Sequence, residues 1–387
     1  MHLFKNFKIY DDELCPCGSG KLYKYCCKER KDRPVTPSKK PPEVQAMEKM
    51  RKALFKCCLY PDKTKCAKHI KEAHALQNNK IISRLAVDGH VYMLDTKRPP
   101  LIIPIENEEP EIMTPIDKVG VNHATTSTCF CDVHDDEVFA PIEKNAQPFD
   151  INNEEHKFLY AYKAFIFEYY KELVLENVFR QNIEEKPSML WSADNNVRQY
   201  RNILLKRKEM DQIKIFFDTA LITQNYTGLK TCVVEIPEEI DFANFACVGF
   251  NYDLEGNKIK NIKKNIMDRV FLTIFPEENK SYIIMSYLEK DENAYGNLAK
   301  QLKYKDINLI KYFITLVLPL YSENIVLSPR LWEKWDEETQ VAFTFYSNRS
   351  GPQFAVYNLA VKFGMQNIKN KKMNLSNGKR CKIDLFS

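Results

Sequence analysis

The sequence predicts an α+β protein in which a small cysteine module precedes a Cys/His-rich region and a larger α+β domain with an antiparallel sheet. Three observations support this prediction: cysteines cluster near the start, apolar residues recur with helical spacing after residue 150, and β-branched runs follow. The predicted division is 1–30 for the cysteine module, 31–43 for a linker, 44–150 for the Cys/His-rich region and 151–387 for the α+β domain.

The composition is that of a globular protein, with 44% hydrophobic and 28% charged residues. A net charge of +5 permits a nucleic-acid partner but does not require one, because nucleic-acid binders concentrate basic charge on one face. No apolar run approaches the roughly 20 residues that span a bilayer, and the start of the chain lacks the apolar segment of a signal peptide. We therefore expect a cytoplasmic protein with no membrane insertion.

The 12 cysteines are unevenly distributed, since seven lie in the first 66 residues and only Cys232, Cys247 and Cys381 lie beyond residue 131. Close-spaced cysteines near His and Lys in a cytoplasmic chain favour metal binding over a disulfide framework. The three late cysteines stand in apolar or terminal contexts, and we predict that they are packing residues.

The cysteine module reads CPCGSGKLYKYCC from residue 15 to residue 27. Zinc takes four thiolate or imidazole ligands in a tetrahedron, and a Cys-x-Cys pair supplies two of them from one tight turn. The two glycines that follow accept positive φ, which lets the backbone double back. So short a segment cannot bury a core, so a bound metal would supply its folding free energy, roughly 10 kcal/mol or more.

This stretch resembles the SEC-C motif, which reads Cys-Pro-Cys-Gly-Ser-Gly-x-x-Tyr-Lys-x-Cys-Cys. The motif is best known from the bacterial preprotein translocase ATPase, where it binds zinc and contacts an export chaperone and ribosomes, and it recurs on unrelated bacterial proteins. The resemblance implies that Cys15, Cys17, Cys26 and Cys27 hold Zn²⁺ in a closed structural site. It also implies a bacterial zinc-binding protein whose knuckle, residues 1–30, docks to a protein, ribosome or nucleic-acid partner.

The linker is rich in Pro, Lys and Ser and has no apolar period, which is typical of an extended connection. In the Cys/His-rich region that follows, apolar spacing and β-branched runs predict four elements. They are a helix at 44–56, a helix at 73–86, a strand at 90–94 and an acidic, proline-bearing loop at 99–115.

A second candidate metal site combines Cys58 and Cys66 with Cys131 and His134. Cys-x-x-His places two ligands on one turn and is a common half-site for zinc. Because 64 residues lie between the two halves, their pairing depends on the fold rather than on local spacing. Three further residues remain open as alternative ligands: Cys57, Cys129 and His69.

If the two halves meet, their order resembles a divergent treble-clef finger of the HNH endonuclease type. That resemblance implies a nuclease, in defence against foreign nucleic acid, as the alternative function. His74 would be its general base, assisted by His90 or His123, and Mg²⁺ or Mn²⁺ would stabilise the leaving group. The opposing interpretation is that a backbone carbonyl simply satisfies the His74 ring. No complete catalytic set can be assembled from the residues, so enzymatic activity is left open.

Acidic residues next to His134 have two interpretations. Asp132, Asp135 and Asp136 either orient the imidazole as partners outside the ligand set or form a solvated turn. The segments around His74, His90, His134 and Ser322-Glu323-Asn324 also resemble uncharacterised bacterial proteins, some of which carry the same N-terminal motif. That resemblance implies no particular activity.

The C-terminal region shows helical and strand patterns in turn. Phe158, Tyr162, Phe165 and Tyr169 recur at helical spacing. The predicted helices are 156–179, 195–221, 294–302 and 307–318, the last of them stopped by Pro319. The predicted strands of the antiparallel sheet are 231–236, 245–252, 269–275 and 281–287.

Three basic runs, at 206–208, 258–264 and 369–372, accompany abundant Tyr and Phe residues. A basic face with stacking rings would suit RNA or single-stranded DNA. Aromatic residues at helical or strand spacing are more often core, and lysine runs are more often solvated surface. The nucleic-acid interpretation is therefore the weaker of the two.

Overall fold

The α+β class is confirmed in a computed structural model of the chain. The structure describes residues 8–34, 38–103, 111–144, 148–192, 194–260, 262–263, 266–348, 351–372 and 382–387. In chain order its helices are α1 (Pro42–Ala53), α2 (Ser83–Leu85), α3 (Asp132–Val138), α4 (Ala140–Glu143), α5 (Glu154–Glu185), α6 (Met189–Ser192), α7 (Asp194–Thr223), α8 (Glu292–Tyr304), α9 (Ile307–Tyr321), α10 (Pro329–Trp332), α11 (Glu337–Ser347) and α12 (Gly351–Lys369).

The strands are short in the first half of the chain and longer in the second. They are β1 (Ile70–His74), β2 (His90–Leu94), β3 (Leu101–Ile103), β4 (Glu111–Met113), β5 (Ile116–Gly120), β6 (Thr126–Cys131), β7 (Leu229–Ile236), β8 (Phe242–Val248), β9 (Ile262–Lys263), β10 (Ile266–Met267), β11 (Val270–Glu277), β12 (Lys280–Leu288) and β13 (Ile325–Leu327). Short 3₁₀ turns lie at Tyr23–Tyr25 and Glu289–Asp291, and a π-helical turn lies at Asn78–Ile82.

The main sheet has seven strands in the order β5-β2-β13-β8-β11-β12-β7. Every neighbouring pair in it is antiparallel. Strands β2 and β5 come from the predicted Cys/His-rich region, so one sheet includes strands from both sides of the boundary predicted at residue 150. The four strands predicted between 231 and 287 are present as β7, β8, β11 and β12.

Helices cover both faces of this sheet. Phe271 and Phe275 of β11 pack in a core shared with α5 and α7, whereas Leu272 and Ile274 pack in a second core shared with α8 and α9. This alternation is the two-residue period of a strand. Because both faces are buried, the central strands read as nearly continuous apolar runs.

The long helix α5 organises the first core. It is capped by Asn153, whose side chain accepts hydrogen bonds from the backbone N–H groups of Glu155 and His156. Phe217 of α7 lies 5.0 Å from Phe165 of α5 between ring centroids, so the two long helices meet through aromatic rings. Both predicted helices are confirmed, and each extends beyond its predicted bounds.

Three local predictions are wrong. Residues 73–86 do not form one helix, because β1 pairs with β6 and a π-helical turn follows. The stretch 99–115 is not simply a loop, since the short segments β3 and β4 within it pair as antiparallel strands. Pro319 does not stop α9, which continues to Tyr321, because a proline in the last turn removes only one backbone donor.

Candidate metal centres

The four cysteines of the knuckle converge. Their sulfur atoms all lie within 4.8 Å of one another. Cys26 Sγ lies 3.5 Å from Cys17 Sγ and 3.9 Å from Cys27 Sγ. Zinc–sulfur bonds of about 2.3 Å in a tetrahedron would place the sulfurs about 3.8 Å apart. The donor atoms therefore fit one four-coordinate metal ion.

Local backbone structure explains this convergence. The N–H of Cys15 donates to the carbonyl of Lys21 over 2.8 Å, which folds the segment back on itself. Gly18 and Gly20 make the return with φ of +78° and +75°, the left-handed region that glycine tolerates best. The 3₁₀ turn Tyr23–Tyr25 then delivers the last two cysteines.

Burial controls the protonation of these thiols. It raises the pKa of Cys15 to about 11 and raises the pKa of Cys27 well above its ordinary value. Burial also opposes ionisation of Cys17, but hydrogen bonds from Ser19 and from the neighbouring Cys15 and Cys26 together outweigh it and lower the pKa of Cys17 to about 7. Four thiolates could not share this pocket without a cation, so deprotonation and metal binding would occur together.

The knuckle packs against the long helices of the same chain. Ile9 and Tyr23 join a buried cluster with Phe179 and Ile183 of α5 and Val197 of α7. At the edge of this contact, Glu13 forms an ion pair with Arg201 of α7 over 2.6 Å. Sequence reasoning did not predict this packing, because no local signal relates residues so far apart in the chain.

The second candidate group also converges. The Nδ1 atom of His134 lies 3.2 Å from Cys131 Sγ, 3.4 Å from Cys58 Sγ and 3.5 Å from Cys66 Sγ. Zinc–sulfur and zinc–nitrogen bonds of ordinary length would place these atoms about 3.6 Å apart in a tetrahedron. The structure thus brings together all eight residues that the sequence predicts as ligands, in two groups of four.

Strand pairing assembles the second group. The last residue of β6, Cys131, lies opposite Ile70 of β1, and α3 begins immediately afterwards, so His134 follows on its first turn. The N–H of Leu59 donates to the carbonyl of Cys129 over 2.8 Å. This bond holds Cys58 beside the end of β6 although the two segments are distant in sequence.

The predicted alternatives lie outside this group. Among the described residues, the groups of ligand atoms close enough to share an ion include none of Cys57, Cys129 and His69. His69 instead lies 2.8 Å from Asp132, and complete burial raises the pKa of Cys129 well above its ordinary value. The four residues first proposed are therefore the ones that meet.

The acidic residues do not orient His134. Asp135 and Asp136 form ion pairs with Lys71 at 3.0 and 2.9 Å. The carboxylate of Asp132 contacts His69 instead. The His134 ring instead stacks on Tyr60, with centroids 4.0 Å apart and planes 20° from parallel. Burial lowers the pKa of His134.

His74 has the environment of the non-catalytic interpretation. It is the last residue of β1, and its Nδ1 lies 2.9 Å from the carbonyl oxygen of Ala124. Burial lowers its pKa, and no group of potential ligands within the described residues includes it. His90 and His123 contact the Asp88 carbonyl and Glu72, respectively. The nuclease role stays a prediction that no contact of His74 supports.

Basic residues of two runs pair with acidic residues of the same chain. Arg207 lies 2.8 Å from Asp211, and Lys369 lies 2.9 Å from Glu255. Such pairs favour the interpretation of these runs as solvated surface. Cys232 and Cys247 are buried in the cores as predicted packing residues, whereas Cys381 lies outside the described residues.

Comparison with known proteins bears on the knuckle alone. The SEC-C motif family matches residues 13–29, which confirms the resemblance seen in the sequence. No curated protein and no solved structure matches the chain. None of the helices within the described residues has the length and apolar character needed to cross a membrane. The motif and the two ligand groups together indicate metal binding.

Proposed function

We propose that this chain is a zinc-binding protein that docks to the ribosome through the outer surface of its knuckle. Support for zinc comes from the donor set at the first centre. Four thiolates are soft ligands that select zinc among the common divalent ions, and all four tetrahedral positions are filled by protein. Such a closed site has a structural role, because no position is left for a substrate or a reactive water.

The observation that carries the docking proposal is the division of the knuckle into two faces. Its inner face, with Tyr23 and Cys27, is buried against α5 and α7. On its outer face, Leu14 and Tyr25 have 64% and 71% of their surface exposed. An exposed leucine and tyrosine on so small a module are the side chains expected at the centre of a binding surface.

Charge indicates the kind of partner. Lys21 and Lys24 of the knuckle are both exposed, and Lys24 Nζ lies 4.7 Å above the ring of Tyr25. A tyrosine ring with neighbouring ammonium groups suits an acidic surface that offers phosphates and stackable bases. The ribosome, a partner class that the SEC-C resemblance implies, has such a surface.

The experiment is co-sedimentation of the zinc-loaded full chain with purified bacterial ribosomes through a sucrose cushion. We expect binding that weakens as salt rises, and a Kd raised about fivefold or more by Tyr25→Ala, because a central aromatic residue contributes above 1 kcal/mol. The matched control is Tyr304→Ala at the end of α8, where a tyrosine is 75% exposed but distant in sequence from the knuckle.

Two results would refute the proposal. One is that the zinc-loaded chain stays in the supernatant at low salt. The other is that Tyr25→Ala and Tyr304→Ala sediment with ribosomes as the unaltered chain does. In both cases the zinc content is measured on the same samples, so that loss of the ion is not mistaken for loss of the docking surface.

A further inference from the structure

We propose that Cys58, Cys66, Cys131 and His134 form a second, independent structural zinc site in which His134 binds the ion through Nδ1. The SEC-C motif ends at residue 29 and gives no reason to expect this site.

The imidazole supplies the strongest observation. The His134 side chain is almost fully buried, with 2% of the residue exposed. Among the described residues, the groups within hydrogen-bonding distance of its Nδ1 are three sulfurs, which are weak hydrogen-bonding groups. An ion at Nδ1 would replace these three weak contacts with a coordinate bond to the ring nitrogen.

The donor set also specifies the class of ion. Three thiolates and one imidazole are a common ligand set of structural zinc, and they leave no tetrahedral position open. The stacked ring of Tyr60 covers one face of the imidazole and fixes its plane. Nothing in this arrangement leaves room for a metal-bound water, so the site is structural rather than catalytic.

The ion would join segments that are far apart in the chain. Cys58 and Cys66 lie in a stretch without regular structure, whereas Cys131 ends β6 and His134 lies in α3. Closing such a loop costs chain entropy that a shared ion offsets. The site would therefore hold residues 57–66 against the β1–β6 pair, which itself packs on α5 through Phe130 and Tyr162.

The second site is separate from the knuckle. Cys58 packs against the core formed by α5, α7 and the main sheet, whereas the knuckle cysteines belong to a different cluster. Removing the knuckle ion should therefore leave the second ion in place. This separation lets the second site be tested whether or not the knuckle docks to ribosomes.

The test uses the full chain with Cys26→Ser and Cys27→Ser, which removes two of the four knuckle ligands. We expect one zinc per chain to remain, bound by three sulfurs and one nitrogen in X-ray absorption spectra. Adding Cys58→Ser should abolish this zinc, while adding Cys57→Ser at the neighbouring cysteine should retain it. Absence of zinc from the starting variant, or a ligand set without nitrogen, would overturn the proposal.

A second measurement does not depend on substitutions near the site. Cys66 is only partly buried, so in the unaltered chain its alkylation by iodoacetamide can be followed by mass spectrometry. We expect Cys66 to be protected in the zinc-loaded protein and modified after chelation. Equal modification in both states would show that its sulfur does not bind an ion.

Discussion

Replacing Cys27 with serine should remove the knuckle ion and unfold residues 8–30 while the helices beneath them stay folded. Cys27 is completely buried, and a serine hydroxyl is a poor zinc ligand. The apolar contribution of the knuckle comes mainly from Ile9 and Tyr23, about 3–6 kcal/mol for the two side chains. A structural zinc contributes more, about 10–16 kcal/mol in isolated modules.

The assay is amide hydrogen exchange followed by mass spectrometry. In the structure the N–H groups of Cys15 and Tyr23 donate to backbone carbonyls over 2.8 Å, so both should exchange slowly in the zinc-loaded chain. Losing only about 4 kcal/mol of local stability would speed their exchange about a thousandfold. Peptides from the centre of α5 should be unaffected in the variant.

The matched control is Cys57→Ser, the same chemical change at a partly buried cysteine outside both ligand groups. This variant should retain zinc, and the amides of its knuckle should still exchange slowly. A Cys27→Ser variant that lacks the knuckle ion but still protects the Cys15 and Tyr23 amides would refute the reasoning, because packing alone would then order the segment.

Three further predictions test the surroundings of the sites and the core. Tyr60→Ala should weaken zinc binding at the second site about two- to tenfold, because the ring stacked on His134 contributes about 0.5–1.5 kcal/mol to the stability of the site. Competition with a chelator measures this affinity, and the Tyr60→Phe control should bind zinc as the unaltered chain does. Hydrogen bonds from two lysines lower the pKa of Glu255 to about 2. The Glu255 carboxylate therefore stabilises the folded chain fully above the pKa of about 4.3 that glutamate has when unfolded, and this stabilisation is lost as the pH falls through about 2. Glu255→Gln should therefore cost up to about 1 kcal/mol in urea unfolding at pH 7, and this difference should disappear near pH 2. Phe217→Ala should cost about 3–5 kcal/mol, since its ring is fully buried against α5 and β11, whereas exposed Ile215→Ala on the same helix should change the free energy of unfolding by less than about 0.5 kcal/mol.

Short-range patterns in the sequence predicted much of the architecture. The helical spacing of Phe158, Tyr162 and Phe165 is long and regular enough to identify α5 without any tertiary information. The knuckle ligands are equally local, because four cysteines within 13 residues leave few other ways to converge. Proline at position 319 was misleading because its effect depends on where in a helix it falls.

Long-range pairing decided the rest. Residues 73–74 have mixed preferences, and their register with β6 places them in a strand rather than at the start of the predicted helix. The sequence offered a backbone carbonyl as the partner of the His74 ring, but it could not identify this carbonyl as that of Ala124, just before β6. The packing of the knuckle on Ile183 likewise depends on surfaces more than 150 residues apart.

Anomalous scattering at the zinc absorption edge, recorded from crystals of the full chain, tests the central claim most directly. We predict a difference peak among the sulfurs of Cys15, Cys17, Cys26 and Cys27 that is strong above the edge and absent below it. Sulfur atoms found in the same arrangement with no such peak, in protein purified without chelator, would contradict the assignment of zinc to the knuckle.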